Sequence, residues 1–214
     1  MTSSVVVFGR EPLPGRVKTR LAAAIGSAAA ARVYAVLLDH TLEAASASRL
    51  PVLLSLAECP SASWAAELSV PFEIQKAGGL GERMADAFAR RFTAGDDNVV
   101  VIGSDCAALT SDLIRQAAVL LDENSAVLGP AVDGGYYLIG QRSPGADLFT
   151  GIPFSDPQTS AATRERLSAH ALCWSELTQL PDIDTAEDLE ALLADPVAPR
   201  PFIRRLAAAV HETR

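Results

Sequence analysis

The chain has 214 residues and a formal net charge of −8, with 49% hydrophobic and 6% aromatic residues. This length fits one sizeable domain, and an acidic chain with few aromatic residues does not suit an extended nucleic-acid-binding face. Cys59, Cys106 and Cys173 are widely spaced and form no CxxC pair, so the sequence predicts neither a disulfide framework nor a zinc site.

Membrane segments are not expected either. No apolar stretch approaches the roughly 20 residues that a membrane span requires, and the first residues, MTSS, lack the basic start and apolar core of a secretory signal. We therefore expect a cytoplasmic protein with neither membrane nor nucleic-acid partners. We expect a single domain over residues 1–214, with 196–214 as a C-terminal helical tail. The sequence leaves the oligomeric state open.

Apolar, β-branched runs that alternate with helical patterns predict an α/β fold with a mainly parallel sheet. The predicted strands run from Val5 to Phe8, Val52 to Leu56, Phe72 to Gln75, Val99 to Ile102, Ala126 to Leu128 and Tyr136 to Ile139. The predicted helices run from Ser27 to Ala47, from Leu80 to Phe92, from a cap at Thr110, from a capping box at Thr185, and from Phe202 to His211.

A basic segment, REPLPGRVKTR, follows the first predicted strand and carries four cations and one anion. Its glycines and prolines interrupt regular structure. The segment therefore predicts a loop at the carboxyl end of the strand, where open α/β sheets place their ligand crevice. We expect Arg16, Lys18 and Arg20, with backbone amides near Gly15, to bind a di- or triphosphate. A solvent-exposed basic turn is the structural alternative.

Neither of two common nucleotide motifs fits this sequence. Five residues separate Gly9 from Gly15, and Lys18 does not follow the second glycine directly, so the segment is not a Walker A loop. The later GGLG segment lacks the GxGxxG spacing of a dinucleotide fold, which disfavours a nicotinamide enzyme. The predicted phosphate site includes Gly9 and Arg10 at the start of the basic segment.

Two carboxylates are candidates for a divalent metal beside the predicted phosphates. Asp105 follows a wholly apolar strand, at the crevice edge, and Asp184 stands before the predicted helix at Thr185. Asp105 could instead form an Asx turn, and Asp184 could be a helix cap or dipole partner. The pair makes a metal site plausible because Mg²⁺ usually takes one or two protein carboxylates with phosphate and water.

The segment PAVDGGYYLIG lies between two predicted strands, and its Asp-Gly-Gly is typical of a hairpin turn. In the functional interpretation, Gly134 and Gly135 let an acceptor or sugar approach the backbone, and Asp133 is a hydroxyl partner, a base or a further metal ligand. We include Tyr136 in this acceptor site. Arg83 could reach a phosphate from the first turn of its helix, or be solvated.

Five segments together cover the chain from about Val5 to Leu193: FGREPLPGRVKTRL, GGLGERMADAF, VVVIGSDCAALTSDLI, AVLGPAVDGGYYLIG and LPDIDTAEDL. In this combination the sequence resembles a bacterial family of uncharacterised GT-A-fold proteins, labelled glycosyltransferases or radical-SAM/selenodomain-associated transferases. More distantly, KTRL and DIDTAEDL are similar to phospholactate guanylyltransferase and molybdenum-cofactor nucleotidyltransferases. The resemblance implies a Rossmann-like, three-layer α/β/α nucleotide-diphospho-sugar transferase fold with a mixed, mainly parallel sheet.

The resemblance also implies roles for residues that match the family's motifs. These are phosphate binding by Gly15, Lys18 and Arg20, proximity to the nucleoside for Gly79 and Leu80, and Mg²⁺ or Mn²⁺ binding by Asp105 with Asp184. The chain departs from the family pattern at Ala107, where proline is expected, and at Val132, where an acidic residue is common. Val132 leaves no acidic group for a catalytic role at that position.

We expect a metal-dependent transferase that uses a nucleotide-activated donor and a small-molecule acceptor. The full-length resemblance favours glycosyl transfer from a nucleotide sugar, with Lys18, Asp105 and Asp133 as catalytic residues. A lone aspartate beside a Lys/Arg loop also suits transfer of a nucleotidyl group from a nucleoside triphosphate onto a phosphorylated small molecule. A non-catalytic nucleotide-binding module is the third interpretation.

Overall fold

The computed structural model describes residues 1–143, 145–154 and 156–211. Its sheet consists of parallel strands with one antiparallel strand inserted among them. The strands in the described residues are β1 (Ser3–Gly9), β2 (Val52–Leu56), β3 (Phe72–Ile74), β4 (Asn98–Ile102), β5 (Ala126–Pro130), β6 (Tyr136–Arg142) and β7 (Trp174–Glu176). Their order is β3-β2-β1-β4-β6-β5-β7. β6 is antiparallel to β4 and β5, and the other neighbouring pairs are parallel. The predicted mixed, mainly parallel sheet is confirmed.

Helices cover both faces of this sheet. Those in the described residues are α1 (Thr19–Ile25), α2 (Ser27–Ala47), α3 (Ala62–Glu67), α4 (Leu80–Thr93), α5 (Ser111–Leu120), α6 (Thr159–Ala169), α7 (Ala186–Ala194) and α8 (Arg200–His211). In β1, Val5 and Val7 belong to a core cluster with residues of α2 and α5, whereas Val6 belongs to one with α4. This alternation produces the three-layer α/β/α arrangement that was predicted.

The central strands are apolar throughout because helices bury both of their faces. All five residues of β4 are buried, and the side chains of Val5, Val6 and Val7 in β1 are completely inaccessible. The two predicted caps are also present. The Thr110 hydroxyl accepts a hydrogen bond from the Leu113 N–H at 3.3 Å, and the Thr185 hydroxyl accepts one from Asp188 at 3.2 Å.

Several short or polar elements were not predicted. β7 has three residues, too few for an alternating pattern, and α6 (TSAATRERLSA) has little apolar periodicity. The expectation that the basic loop extends to Arg20 is wrong, since α1 begins at Thr19. Gln75 likewise lies beyond the end of β3.

The C-terminal helix α8 packs against α2. Phe202 and Leu206 join Val33 and Leu37 in one apolar cluster, and Arg205 pairs with Asp39 at 2.8 Å. Residues 212–214 of the predicted tail lie outside the described residues, and the assignment of one domain with a tail remains a prediction. None of the helices in the described part of the chain combines the length and apolar character needed to span a membrane.

The turn between β5 and β6 is anchored to α6 at Gly134. This glycine has a φ of +91°, its carbonyl accepts a hydrogen bond from Ser160 at 2.8 Å, and a Cβ placed on it would clash with the carbonyl of Pro157. Gly134 is therefore required both by its backbone conformation and by the close approach of the segment that enters α6.

We expect Gly134→Ala to lower the free energy of unfolding by roughly 3 kcal/mol. The left-handed conformation costs alanine roughly 1–2 kcal/mol, and the backbone clash adds to this cost. Gly95→Ala is the matched control, since Gly95 has a φ of +98° and open space around its Cβ position. The control should lose about 1 kcal/mol in urea unfolding. Equal losses in the two variants would contradict the clash.

Candidate active site

A cavity of about 440 Å³ lies at the carboxyl ends of the central strands. From β1 the chain continues to β2 on one side, while β4 pairs with β1 on the other side, and such a reversal is where open α/β sheets bind ligands. We call this space the cationic cavity. Its lining consists of Phe8, Gly9, Arg10, Arg16, Val17, Lys18, Thr19, Tyr34, Ala57, Gln75, Leu80, Arg83, Gly103, Ser104, Asp105, Tyr136 and Asp184.

An ion pair joins the loops that follow β1 and β4. Lys18 Nζ lies 2.8 Å from Asp105 Oδ1, and the Lys18 side chain is 4% exposed whereas that of Asp105 is 50% exposed. The approach is not that of a well-aligned hydrogen bond, because Oδ1 accepts none from the described residues. Lys18 has a φ of +47°, a left-handed conformation that costs a lysine on the order of 1 kcal/mol. The fold therefore holds a buried cation against a half-exposed carboxylate.

Tyr34 of α2 contacts both of these loops through its hydroxyl group. Its hydroxyl oxygen accepts a hydrogen bond from the Arg10 N–H at 3.0 Å and lies 3.0 Å from the Ser104 hydroxyl. Burial, reinforced by the negative charge of Asp105, raises the pKa of Tyr34 to about 12. The hydroxyl thus stays neutral and serves as a fixed hydrogen-bonding group between the loops.

Three arginines line the cationic cavity together with Lys18. Arg10 and Arg16 each lie 3.6 Å from a Glu58 carboxylate oxygen, and these side chains are all largely exposed. Arg83 donates to Gln75 Oε1 at 3.0 Å, and burial, with the nearby charge of Arg10, lowers its pKa. With four basic and two acidic side chains in its lining, the cavity favours an anionic ligand.

A second cavity of about 270 Å³ adjoins the first and shares Leu80, Gly103, Asp105 and Tyr136 with it. We call it the acidic cavity because four carboxylates line it, while no lysine or arginine does so among the described residues. Its lining consists of Leu80, Gly103, Asp105, Cys106, Ala131, Asp133, Gly135, Tyr136, Tyr137, Phe154, Asp156, Thr159 and Asp182.

One of these carboxylates, Asp133, affects the pKa of another, Asp182. Asp133 lies in the β5–β6 turn, where its Oδ1 accepts a hydrogen bond from Gly135 at 2.8 Å. Burial, and next the negative charge of Asp133, raise the pKa of Asp182, while Lys18 acts in the opposite direction. The neighbouring residue Ile183 donates its N–H to the Asp105 carbonyl at 3.0 Å, which fixes the Asp182 segment beside the loop after β4.

Most residues predicted to bind phosphate line the cationic cavity, and three do not. Gly15, Arg20 and Gly79 are outside its lining. Arg20 is 76% exposed and pairs with Asp184 at 3.1 Å. The N–H of Gly79 already donates to Glu82 Oε2 at 2.8 Å, as part of the capping box of α4.

The predicted acceptor residues are similarly divided. Asp133, Gly135 and Tyr136 line the acidic cavity, whereas Gly134 does not, since it faces the segment that enters α6. Val132 is 63% exposed and lies outside the lining of both cavities.

Sequence reasoning did not assign several residues of the two cavities to the site, among them Tyr34, Gln75, Asp156 and Asp182. The signal for Asp182 was present, because it stands two residues before Asp184 in the same short segment. Tyr34 belongs to the apolar stripe of α2, and its spacing alone indicates ordinary core packing.

The carboxylates suit a metal that binds together with phosphate. Asp105 and Asp184 line the same cavity, and the described residues contain no group of three or more His, Cys, Asp or Glu that could hold an ion. Two carboxylates completed by phosphate oxygens and water are a usual set for Mg²⁺. The donor set therefore fits an ion that enters with an anionic ligand.

We expect Asp182→Asn to raise the free energy of unfolding at neutral pH. A carboxyl whose pKa is raised in the folded state opposes folding as pH rises above its ordinary value of 3.8, and the penalty is complete above the raised pKa. The gain should therefore shrink as urea unfolding is measured from about pH 8 down to about pH 4. Asp133→Asn, which removes the repelling charge, should act in the same direction. A loss of stability at neutral pH in both variants would contradict the repulsion.

Comparison with known proteins gives a family match and structural matches for this chain. The family model described as an uncharacterized protein conserved in bacteria, DUF2064, matches residues 37–156. Functionally curated proteins give no match. Among solved structures, a protein of Desulfovibrio desulfuricans G20, provisionally described as a nucleotide-diphospho-sugar transferase, is similar with a TM-score of 0.88 and 29% identity over 98% of this chain and 97% of that one.

Two nucleotidyltransferases share the fold at lower identity. The inositol-1-phosphate CTP transferase of T. maritima has a TM-score of 0.61 and 9% identity over 100% of this chain and 98% of its own. A Bacillus anthracis protein, provisionally described as a glucose-1-phosphate thymidylyltransferase and solved with sucrose, has a TM-score of 0.59 and 13% identity over 100% and 97%. The chain belongs to the bacterial DUF2064 family and has the fold of nucleotide-diphospho-sugar transferases and nucleotidyltransferases.

Proposed function

We propose that this protein transfers a glycosyl group from a nucleotide sugar to an uncharged or amine-bearing small molecule. The observation that carries the proposal is the pair of adjoining cavities with opposite charge, which meet at Asp105. An anionic donor fits the cationic cavity, and an acceptor without negative charge fits the acidic one. The structural relatives support a nucleotide-dependent transferase.

On the donor side, the cations of the cationic cavity complement a diphosphate. Lys18 is held in place by burial and by Asp105, so little side-chain freedom is lost when a phosphate binds. Arg10 and Arg16 can exchange their long contacts with Glu58 for shorter, charge-assisted bonds to phosphate oxygens.

On the acceptor side, the acidic cavity disfavours a phosphorylated molecule. Two like charges about 4 Å apart repel by about 4 kcal/mol at an effective dielectric constant of about 20. In the described residues the lining offers no cation to offset this repulsion. Carboxylates are instead good acceptors for sugar or alcohol hydroxyls. This charge distribution favours glycosyl transfer over nucleotidyl transfer to a phosphomonoester.

The residues assign simple roles to the reaction. The bond between the anomeric carbon and the diphosphate oxygen breaks, and the acceptor oxygen forms a new bond to that carbon. Lys18 stabilises negative charge on the departing nucleoside diphosphate. Asp133 takes the proton that the acceptor hydroxyl releases, and Asp182, whose pKa is raised, is the neighbouring carboxylate able to share it.

Asp105 and Asp184 would hold Mg²⁺ or Mn²⁺ together with the donor phosphates. When bound, such an ion supplies further positive charge against the diphosphate leaving group. Asp105 also pairs with Lys18. The same carboxylate would therefore bind the metal and hold the buried Lys18 ammonium in position.

Nucleotidyl transfer is the second candidate function, because a lone aspartate beside a Lys/Arg loop suits attack at the α-phosphate of a triphosphate.

The two reactions can be distinguished by the products that they release. The protein is incubated with Mg²⁺ and either nucleotide sugars or nucleoside triphosphates, with simple sugars, amines and sugar phosphates as acceptors. We expect nucleoside diphosphate from nucleotide sugars, and Asp105→Asn should abolish it. Pyrophosphate release from triphosphates would overturn the glycosyl proposal.

A non-catalytic binding module would behave differently in the same assay. It would bind nucleotide saturably, with no dependence on Mg²⁺ and no turnover. If nucleotide affinity changes neither on metal removal nor in Asp105→Ala, then the proposed metal role of Asp105 is wrong.

We expect Lys18→Ala to weaken the binding of nucleoside di- and triphosphates by about 1.5–3 kcal/mol, as for the loss of a charge-assisted hydrogen bond. Lys76→Ala is the matched control, since this other lysine is exposed and lies outside the cationic cavity. Its affinity in titration calorimetry should equal that of the unchanged protein. A loss below ~0.3 kcal/mol in Lys18→Ala would show that Lys18 does not bind the phosphates.

A further inference from the structure

Both carboxylates of the proposed metal site are paired with basic side chains from one short segment. Lys18 Nζ lies 2.8 Å from Asp105 Oδ1, and Arg20 donates to Asp184 Oδ2 at 3.1 Å. No other basic side chain in the described residues forms an ion pair with either acid. Lys18 is the N-cap of α1 and Arg20 lies in its first turn. One turn of the chain therefore supplies the countercharge for both acids.

Packing between α1 and α7 positions the pair of Arg20 and Asp184. Leu21, the neighbour of Arg20, and Ile183, the neighbour of Asp184, are buried in the same apolar cluster. The Asp184 N–H also donates to Asp188 Oδ2 at 3.0 Å, in the first turn of α7. Both side chains therefore start from backbone positions that the fold determines, although Arg20 itself is exposed.

The two ion pairs differ in how an incoming metal ion would meet them. Lys18 is buried and contacts one oxygen of Asp105, whose side chain is half exposed, so an ion can reach this carboxylate while Lys18 stays in place. The ammonium still weakens the attraction of this carboxylate for another cation, just as it weakens the binding of a proton. Arg20 makes one hydrogen bond to Asp184 and is exposed, so an ion can displace it.

We propose that Lys18 and Arg20 are internal counter-ions of the metal site, which keep its affinity for a free divalent ion low. The inference rests on the proposed metal role of Asp105 and Asp184, and adds how the affinity of that site is regulated. Two acids and two basic side chains carry no net charge together, so a free ion finds little attraction. An anionic donor brings negative charge to the same cations. Ion and donor therefore tighten each other's binding, because coupling between two sites is reciprocal.

Binding of Mn²⁺ alone tests the inference, with the free ion measured by electron paramagnetic resonance and no nucleotide present. We expect Lys18→Gln to tighten Mn²⁺ binding roughly tenfold, the effect that a neighbouring charge has on the proton affinity of a carboxylate. Arg20→Gln should tighten it about two- to fivefold, because the ion pair that is lost is exposed. Unchanged or weaker Mn²⁺ binding in either variant would overturn the role of that residue.

Two controls separate the ion pairs from a general effect of charge. Arg16→Gln removes one positive charge from the same loop, but from a side chain that pairs with Glu58. Its Mn²⁺ affinity should stay close to that of the unchanged protein, and tightening equal to that in Arg20→Gln would overturn the inference. In a protein that already carries Asp184→Asn, Arg20→Gln should have no effect on Mn²⁺ binding. An effect that persists there would show that Arg20 does not act through Asp184.

Nucleotide binding shows whether a changed Mn²⁺ affinity reflects damage to the fold. Lys18→Gln should weaken the binding of uridine and guanosine diphosphates while it tightens that of Mn²⁺, whereas an unfolded protein would lose both. If both are lost, Arg20→Gln decides the inference, because it changes an exposed side chain.

Measurements on the acids distinguish failure of this inference from failure of the proposed function. Mn²⁺ binding that is weakened by Asp105→Asn, but tightened by neither Lys18→Gln nor Arg20→Gln, would overturn the inference alone. Mn²⁺ binding that neither Asp105→Asn nor Asp184→Asn weakens would instead overturn the proposed metal role on which the inference rests.

Discussion

The ion pair between Lys18 and Asp105 is the contact on which the candidate site depends. β1 and β4 are parallel neighbours, so the loops that follow them emerge at the same edge of the sheet. Burial of the Lys18 ammonium would be strongly unfavourable without a carboxylate beside it. The pair therefore holds a basic loop and an acidic loop in contact, and Tyr34 reinforces this arrangement from below through Arg10 and Ser104.

Charge divides the space around this pair into regions with different uses. Basic side chains collect on the side of β1 and α4, and carboxylates on the side of β6 and the segment before α7. Asp105 belongs to both, so in the proposed reaction the transferred group would pass this residue.

The antiparallel direction of β6 explains how the β5–β6 turn, which is distant in sequence from Lys18, reaches the same edge of the sheet. Because β6 runs against β4, its first residue Tyr136 lies near the end of β4, and the turn that carries Asp133 comes to the same place. The sequence predicted a hairpin or an acceptor loop as alternatives, and the turn is a hairpin whose Asp133 and Gly135 also line the acidic cavity. Gly134 has a structural role instead, because the segment that enters α6 approaches it too closely for any side chain.

The sequence by itself determined the main strands, the long helices, two helix caps and the basic loop, because periodicity and turn chemistry are local properties. The full-length resemblance narrowed the predicted α/β class to the nucleotide-diphospho-sugar transferase fold, and it implied Mg²⁺ or Mn²⁺ for the Asp105 and Asp184 pair that the residues had suggested. The tertiary structure decided which cations line the cavity and which, like Arg20, point to solvent in an ion pair. It also placed Tyr34 and Asp182 in the linings of the cavities, and it collected the basic side chains in one cavity and most of the carboxylates in the other. These features depend on side chains that are far apart in the sequence and come into proximity only through the order of the strands in the sheet. No local sequence pattern specifies such proximity.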